Sequence, residues 1–229
     1  MNFKNGFTLA EVLITLVIIG IIAAMTIPSL MNKTNEQETV VAVKKAYSIL
    51  NQAYQRMVAE NGEINPATLD ANYSLPSETF GKMLAKQLNT QKVCGMSEDG
   101  DCFPEGLIKF LNGTELFDYN KANYCYKIRL NDGMSVSVVA YNSYFRQGTI
   151  EALHYMYGVI DVDINGNKGP FTYGKDVFSF YITKYGIVPR GTPGDGEFSL
   201  GTCRDVGLSC TAWVTTKGNM DYLRKRISW

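Results

Sequence analysis

Histidine is almost missing from this 229-residue chain: His154 stands alone. A single imidazole leaves little room for histidine-based acid–base or metal chemistry. A surplus of positive charge is missing too, since 22 Lys and Arg face 22 Asp and Glu. Neutralising phosphates needs such a surplus, so no nucleic-acid partner is expected from charge. There is no Gly-x-Ser-x-Gly, no His-Glu-x-x-His and no Cys-x-x-Cys. Their absence removes the common hydrolase, zinc-protease and zinc-ribbon signatures. No internal repeat or low-complexity tract is present. What is abundant is apolar: hydrophobic residues make up 45% of the chain, with 14 Tyr and 11 Phe. Such a composition buries a core and excludes global disorder. The length suits one large domain or two small ones. The expectation from this arithmetic is a non-enzyme.

The most informative stretch is N-terminal. After the polar MNFKNG comes FTLAEVLITLVIIGIIAAMTIPSLMN, with no charge from Val12 to Asn32. As a helix, that run rises about 31 Å, close to the hydrocarbon thickness of a bilayer. An ordinary secretory signal cleaved after Ala24, or a plain membrane anchor, are the bland readings. Glu11 weighs against them, because a carboxylate in an apolar run is expensive unless paired. So do the length from Phe7 to Met31 and the continuation of helical patterning beyond it. The flanking charges (Lys4 on one side, Lys33, Lys44 and Lys45 on the other) give no clean orientation.

GFTLAEVLITLVIIGIIAAMTIPSL resembles the N-terminal segment of type IV prepilins and type II secretion pseudopilins. The resemblance covers about the first 30 residues. It implies a leader of residues 1–6, cleavage between Gly6 and Phe7 by a prepilin peptidase, and N-methylation of Phe7. It implies an N-in orientation, a single pass through the inner membrane, and an extracytoplasmic globular part. It also implies later assembly, with copies of itself or other pilins and through inner-membrane machinery, into a surface filament or periplasmic pseudopilus. Glu11 falls at the fifth mature position, where the family carries a Glu, and its pairing with the Phe7 ammonium of a neighbouring subunit would fix axial register. The alternative is a Glu tolerated at the cytoplasmic interface.

Bending or local unwinding is expected at Gly20 and Pro28. Beyond Asn35, Val40, Val43, Tyr47, Leu50, Tyr54 and Met57 recur at three- and four-residue steps, widened by Val41, Ala46, Ile49, Ala53 and Val58. This predicts an amphipathic helix ending at Asn61-Gly62. One helix from Phe7 to Glu60 would be some 80 Å long. The expected divisions are thus a leader at 1–6, a membrane or filament-core helix at 7–31, its amphipathic continuation at 32–61, and a globular domain at 62–229. A coiled coil is the weaker reading of so few heptads.

Residues 62–123 read as a connection over a sheet, with a short helix at Glu78–Leu88. Strand patterning takes over at Tyr124–Leu130 and Met134–Tyr141, joined by the turn Asn131-Asp132-Gly133. Tyr155–Ile164 and Val177–Thr183 follow, then Ile187-Val188-Pro189. Helix first and strands after predicts an α+β, pilin-like fold with the long helix packed on an antiparallel sheet. The block from Asp161 to Phe178 and the ending from Cys210 to Leu223 also resemble segments of such proteins.

Asp161, Asp163, Asn165 and Gly166 match the start of a calcium loop, with Asp176 as a further oxygen ligand. The twelfth loop position is Thr172 rather than Glu, so the EF-hand reading fails. Strand-end Asp residues facing water are the alternative. Gly169 to Asp176 is spaced like a phosphate loop, but Asp176 takes the hydroxyl position and puts a negative charge there. His154 is expected to be a satisfied structural residue. Five cysteines lie beyond the apolar run, and two bridges among them allow fifteen arrangements. The local pairs Cys94–Cys102 and Cys203–Cys210 are favoured, leaving Cys125 over.

The sequence therefore points to a structural subunit of a type IV pilus or secretion pseudopilus. The alternatives are a minor tip subunit or adhesin on the same scaffold, and a membrane-anchored hydrolase using Asp161, Asp163 and Asp176 around a metal.

Overall fold

The computed structural model describes residues 8–69, 75–98, 100–166 and 168–229. The chain divides into two compact units, Met1–Glu38 and Thr39–Trp229. Helix α1, Leu9–Asn61, supplies most of the first and opens the second.

In the first unit, α1 carries the uncharged run of residues 12–32, and among the described residues nothing buries it. Ile19 is 62% exposed and Leu30 66%. It is long and apolar enough to cross a bilayer. The helix runs without interruption through Gly20 and Pro28. The expected unwinding is therefore not observed. Thr26 Oγ1 donates to the Ile22 carbonyl at 3.0 Å, so the turn before Pro28 keeps a hydroxyl bond of its own.

The second unit is α+β. Strands β1 (Thr90–Gly95), β2 (Tyr126–Leu130), β3 (Ser135–Phe145), β4 (Met156–Asp163), β5 (Val177–Thr183) and β6 (Gly186–Pro189) form one antiparallel sheet in chain order. Neighbours in sequence are neighbours in space, as hairpin connections require. Because side chains alternate along a strand, each strand serves two faces. Val136, Val138, Ile160, Val162, Phe178 and Phe180 join one core with Val43, Ala46, Leu50, Ala53, Tyr54 and Met57 of α1. Tyr47 stacks on Phe180 with centroids 6.0 Å apart. The buried Tyr54 hydroxyl donates to the Thr183 carbonyl at 2.9 Å. Val41, expected in the stripe, is 66% exposed; at the stripe's margin the helix turns it to solvent.

The helix stops where expected. Gly62 adopts φ 77°, and its N–H donates to the Val58 carbonyl at 2.9 Å. That is the left-handed cap glycine allows. Helix α2 (Leu75–Gln87) comes close to β2 at Gly81, where an added Cβ would lie 2.3 Å from the Tyr126 ring.

Three short helices were not anticipated: α3 (Glu151–His154), α4 (Cys203–Val206) and α5 (Cys210–Lys217). α5 closes the β5–β6 end of the sheet. Thr211 Oγ1 accepts from Ser179 N at 3.0 Å, and Ala212 N donates to the Arg190 carbonyl at 2.9 Å. On the sheet face away from α1, Phe103, Ile108, Tyr119, Phe171, Tyr173 and Leu208 build a second, aromatic core.

Candidate functional site

Gly6 and Phe7, the residues expected to flank the cleavage point, lie outside the described residues. The first described residue, Thr8, sits at the N-cap of α1. Glu11 N donates to Thr8 Oγ1 at 3.2 Å, while Thr8 N donates to Glu11 Oε2 at 2.8 Å. The Thr8 hydroxyl also reaches Glu11 Oε2 at 2.8 Å. This reciprocal arrangement is a capping box, in which a Thr and a Glu three positions on satisfy backbone donors that the first turn leaves open. Its signal, Thr-x-x-Glu just before an apolar run, is present in the sequence, where Glu11 is weighed as a charge and a pairing partner but not as a cap. Both residues are exposed, so Glu11 keeps an oxygen, Oε1, turned from the cap.

The four oxygen ligands considered for calcium do not act together. Asp161 Oδ2 accepts the hydroxyls of Tyr119 at 2.6 Å and Tyr173 at 3.1 Å. Its Oδ1 takes the hydroxyl of Ser179. Asp176 is a turn cap: its two oxygens accept Phe171 N and Thr172 N, each at 2.6 Å. Asp163 Oδ1 accepts Asn165 N at 3.1 Å. What remains is a pair of buried acceptors without partners among the described residues, Asp163 Oδ2 and Asn165 Oδ1. Burial pushes the Asp163 carboxyl up to about 8, aided by the nearby Asp176 charge. Burial also raises Asp176, against the two backbone donors that lower it. No cluster of three or more His, Cys, Asp or Glu side chains is set to hold a metal among the described residues.

The Gly169–Asp176 segment leads into strand β5 rather than a helix, so no helix N-terminus stands behind it. His154 closes α3, and its Nε2 is buried without a partner among the described residues. The expectation of a satisfied histidine is not met at this atom: α3 is a single turn, and it leaves the ring's outer nitrogen without a partner among the described residues.

Disulfides join Cys94 to Cys102 and Cys203 to Cys210. Cys125 is a buried free thiol. Two residues on, Lys127 is fully buried, and Nζ donates to the carbonyls of Tyr119 at 3.1 Å, Asn120 at 3.4 Å and Ala122 at 2.6 Å. Three donors meet three carbonyls, which pins the 119–122 loop against β2. Burial lowers the Lys127 pKa.

Residues 1–27 match the family model described as the prokaryotic N-terminal methylation motif. No curated protein and no solved structure matches the chain. The matched segment is the signature of type IV prepilins and pseudopilins. The chain thus carries the type IV prepilin and pseudopilin signature at its head, on the first turns of an apolar helix long enough to cross a bilayer, and an α+β unit follows.

Proposed function

We propose that this protein is a structural subunit of a type IV pilus or type II secretion pseudopilus. It is made with a six-residue leader, cut between Gly6 and Phe7 by a prepilin peptidase on the cytoplasmic face, and N-methylated on Phe7. The single pass holds it in the inner membrane until assembly. The observation that carries this reading is the methylation motif over residues 1–27, followed at once by an uncovered apolar helix.

The role of Glu11 follows from its setting. It is the only charge between Phe7 and Met31. A carboxylate in hydrocarbon is costly unless paired. Its cap bonds to Thr8 engage Oε2 and leave Oε1 for a cation. The new ammonium at Phe7 of a neighbouring subunit supplies one. Leaving lipid for a helical bundle changes apolar burial little, so packing and this pair set the register.

Mass spectrometry of the native protein tests the proposal. A mature chain that begins at a methylated Phe7 supports it. A chain that begins at residue 25, or one that retains its first six residues, overturns it. Abundance in sheared filaments then separates a major subunit from a tip subunit.

A second reading concerns calcium. Once the Asp163 carboxyl gives up its proton, Asp163 Oδ2 and Asn165 Oδ1, unpartnered among the described residues, are oxygen acceptors of the kind a hard cation takes. Asp161 is committed to its tyrosines and stands outside this set. The remaining oxygens would come from main-chain carbonyls and water.

A further inference from the structure

The sheet face away from α1 carries a half-open cavity of about 450 Å³, a size typical of small-molecule sites. Its walls include Phe110, Phe117 and Tyr124, with Val139 and Val159 from β3 and β4 beneath. Phe117 meets Tyr124 edge to face, with centroids 5.9 Å apart, and Tyr124 stays 42% exposed. These rings are held in place by one another, so a platform exists before any ligand arrives.

Two opposite charges reach the cavity. One is the half-buried Asp161 carboxylate, fixed by Tyr119, Tyr173 and Ser179. Both lone pairs of Oδ2 are used; Oδ1 takes only Ser179 and retains capacity for one more donor. The other is Arg190, 8% exposed, whose guanidinium lies 3.8 Å from the Phe198 ring centroid. Its Nε has no hydrogen-bond partner among the described residues. A buried N–H without an acceptor is costly.

We infer that this cavity binds a neutral saccharide. Such a ligand has C–H faces for the aromatic walls and hydroxyl edges for the polar floor. One hydroxyl can donate to Asp161 Oδ1 while another oxygen faces the positive guanidinium of Arg190. A charged ligand would be attracted by one of these groups and repelled by the other. A purely apolar ligand would bury both without satisfying either. A nucleic acid is not favoured, as the chain has no surplus of positive charge. The inference rests on the globular unit alone and holds whether or not the chain is cleaved after Gly6.

The test uses the full chain in a detergent that has no sugar headgroup. It is applied to an array of neutral oligosaccharides of hexoses and N-acetylhexosamines, alongside sialylated and uronic-acid oligosaccharides. Retention on neutral members is expected, and titration of a retained sugar measures its affinity. Tyr124→Ala and, separately, Phe117→Ala should each weaken that affinity about tenfold through loss of one ring contact. The melting temperature of Tyr124→Ala should stay at the parent value, as the ring is a rim residue. The inference is overturned by retention on no neutral oligosaccharide, by retention on anionic ones alone, or by unchanged affinity in both variants.

Discussion

Thr8 and Glu11 bind each other in both directions at the head of α1, each side chain accepting the other's backbone N–H. One glutamate thus has two separable jobs. As a cap it satisfies a helix donor, and Gln does that equally well. As a charge it can meet an ammonium, and Gln cannot. Glu11→Gln should therefore leave the helix start and membrane insertion intact and still abolish incorporation into filaments. Glu11→Ala loses both. Filaments of normal yield from Glu11→Gln would reduce Glu11 to a cap.

Tyr54 ties α1 to the far end of the sheet. Its hydroxyl donates to the Thr183 carbonyl at 2.9 Å, and Tyr157 donates to Tyr54 at 3.2 Å. Tyr54→Phe keeps the ring in the core and removes the link. The expected cost is about 1–2 kcal/mol, since two buried groups lose a partner. Urea unfolding of the full chain measures it, with the denaturant slope unchanged. A midpoint equal to the parent would mean the hydroxyl is dispensable.

Calcium should raise the melting temperature if Asp163 and Asn165 hold it. At a hundredfold excess over the dissociation constant, binding adds about 2.7 kcal/mol. For a chain of this size that is a rise of several degrees. Chelator should reverse the rise and Asp163→Asn should prevent it, while Asp161→Asn should not, given that Asp161 is engaged by Tyr119 and Tyr173. An unmoved transition across calcium and chelator removes the site.

Much of this fold was legible because its elements advertise a period. The stripe from Val40 to Met57 and the Asn131-Asp132-Gly133 turn between alternating runs each carry a local physical cause. The elements that escaped lack one. β1, Thr-Gln-Lys-Val-Cys-Gly, is an edge strand with little burial, so it shows no alternation of apolar and polar residues. α5 is buried from Cys210 to Val214, which erases the amphipathic contrast a helix needs to be recognised. The calcium set was readable as a motif and dissolved in space: alternate positions on β4 share a face, yet Tyr119, 42 residues away, claims Asp161. The cavity was not legible at all. Phe110, Tyr124, Val159 and Arg190 are far apart in the chain and meet only because hairpins fold back on the outer face.

Lys127 offers the sharpest check on how that outer face is held. Its ammonium is wholly buried and donates to three carbonyls of the 119–122 loop, the loop that carries Tyr119 to Asp161. Lys127→Met keeps the length of the side chain and strips those carbonyls of their donor, at a cost of about 3 kcal/mol. The pH dependence has a definite sign. Burial lowers the native pKa of Lys127 below the 10.5 of an ordinary lysine. Between those two values the unfolded chain binds the proton that the native chain gives up, so the native state gains stability from this group as pH rises. Below the lowered value both states are charged and the contribution is flat. The stability gap between parent and Lys127→Met should therefore be constant near neutrality and widen as pH climbs toward 10.5. Comparing the pair at each pH cancels the tyrosines they share. A gap that stays constant through that window would place the ammonium in solvent and leave the loop to be held by its neighbours.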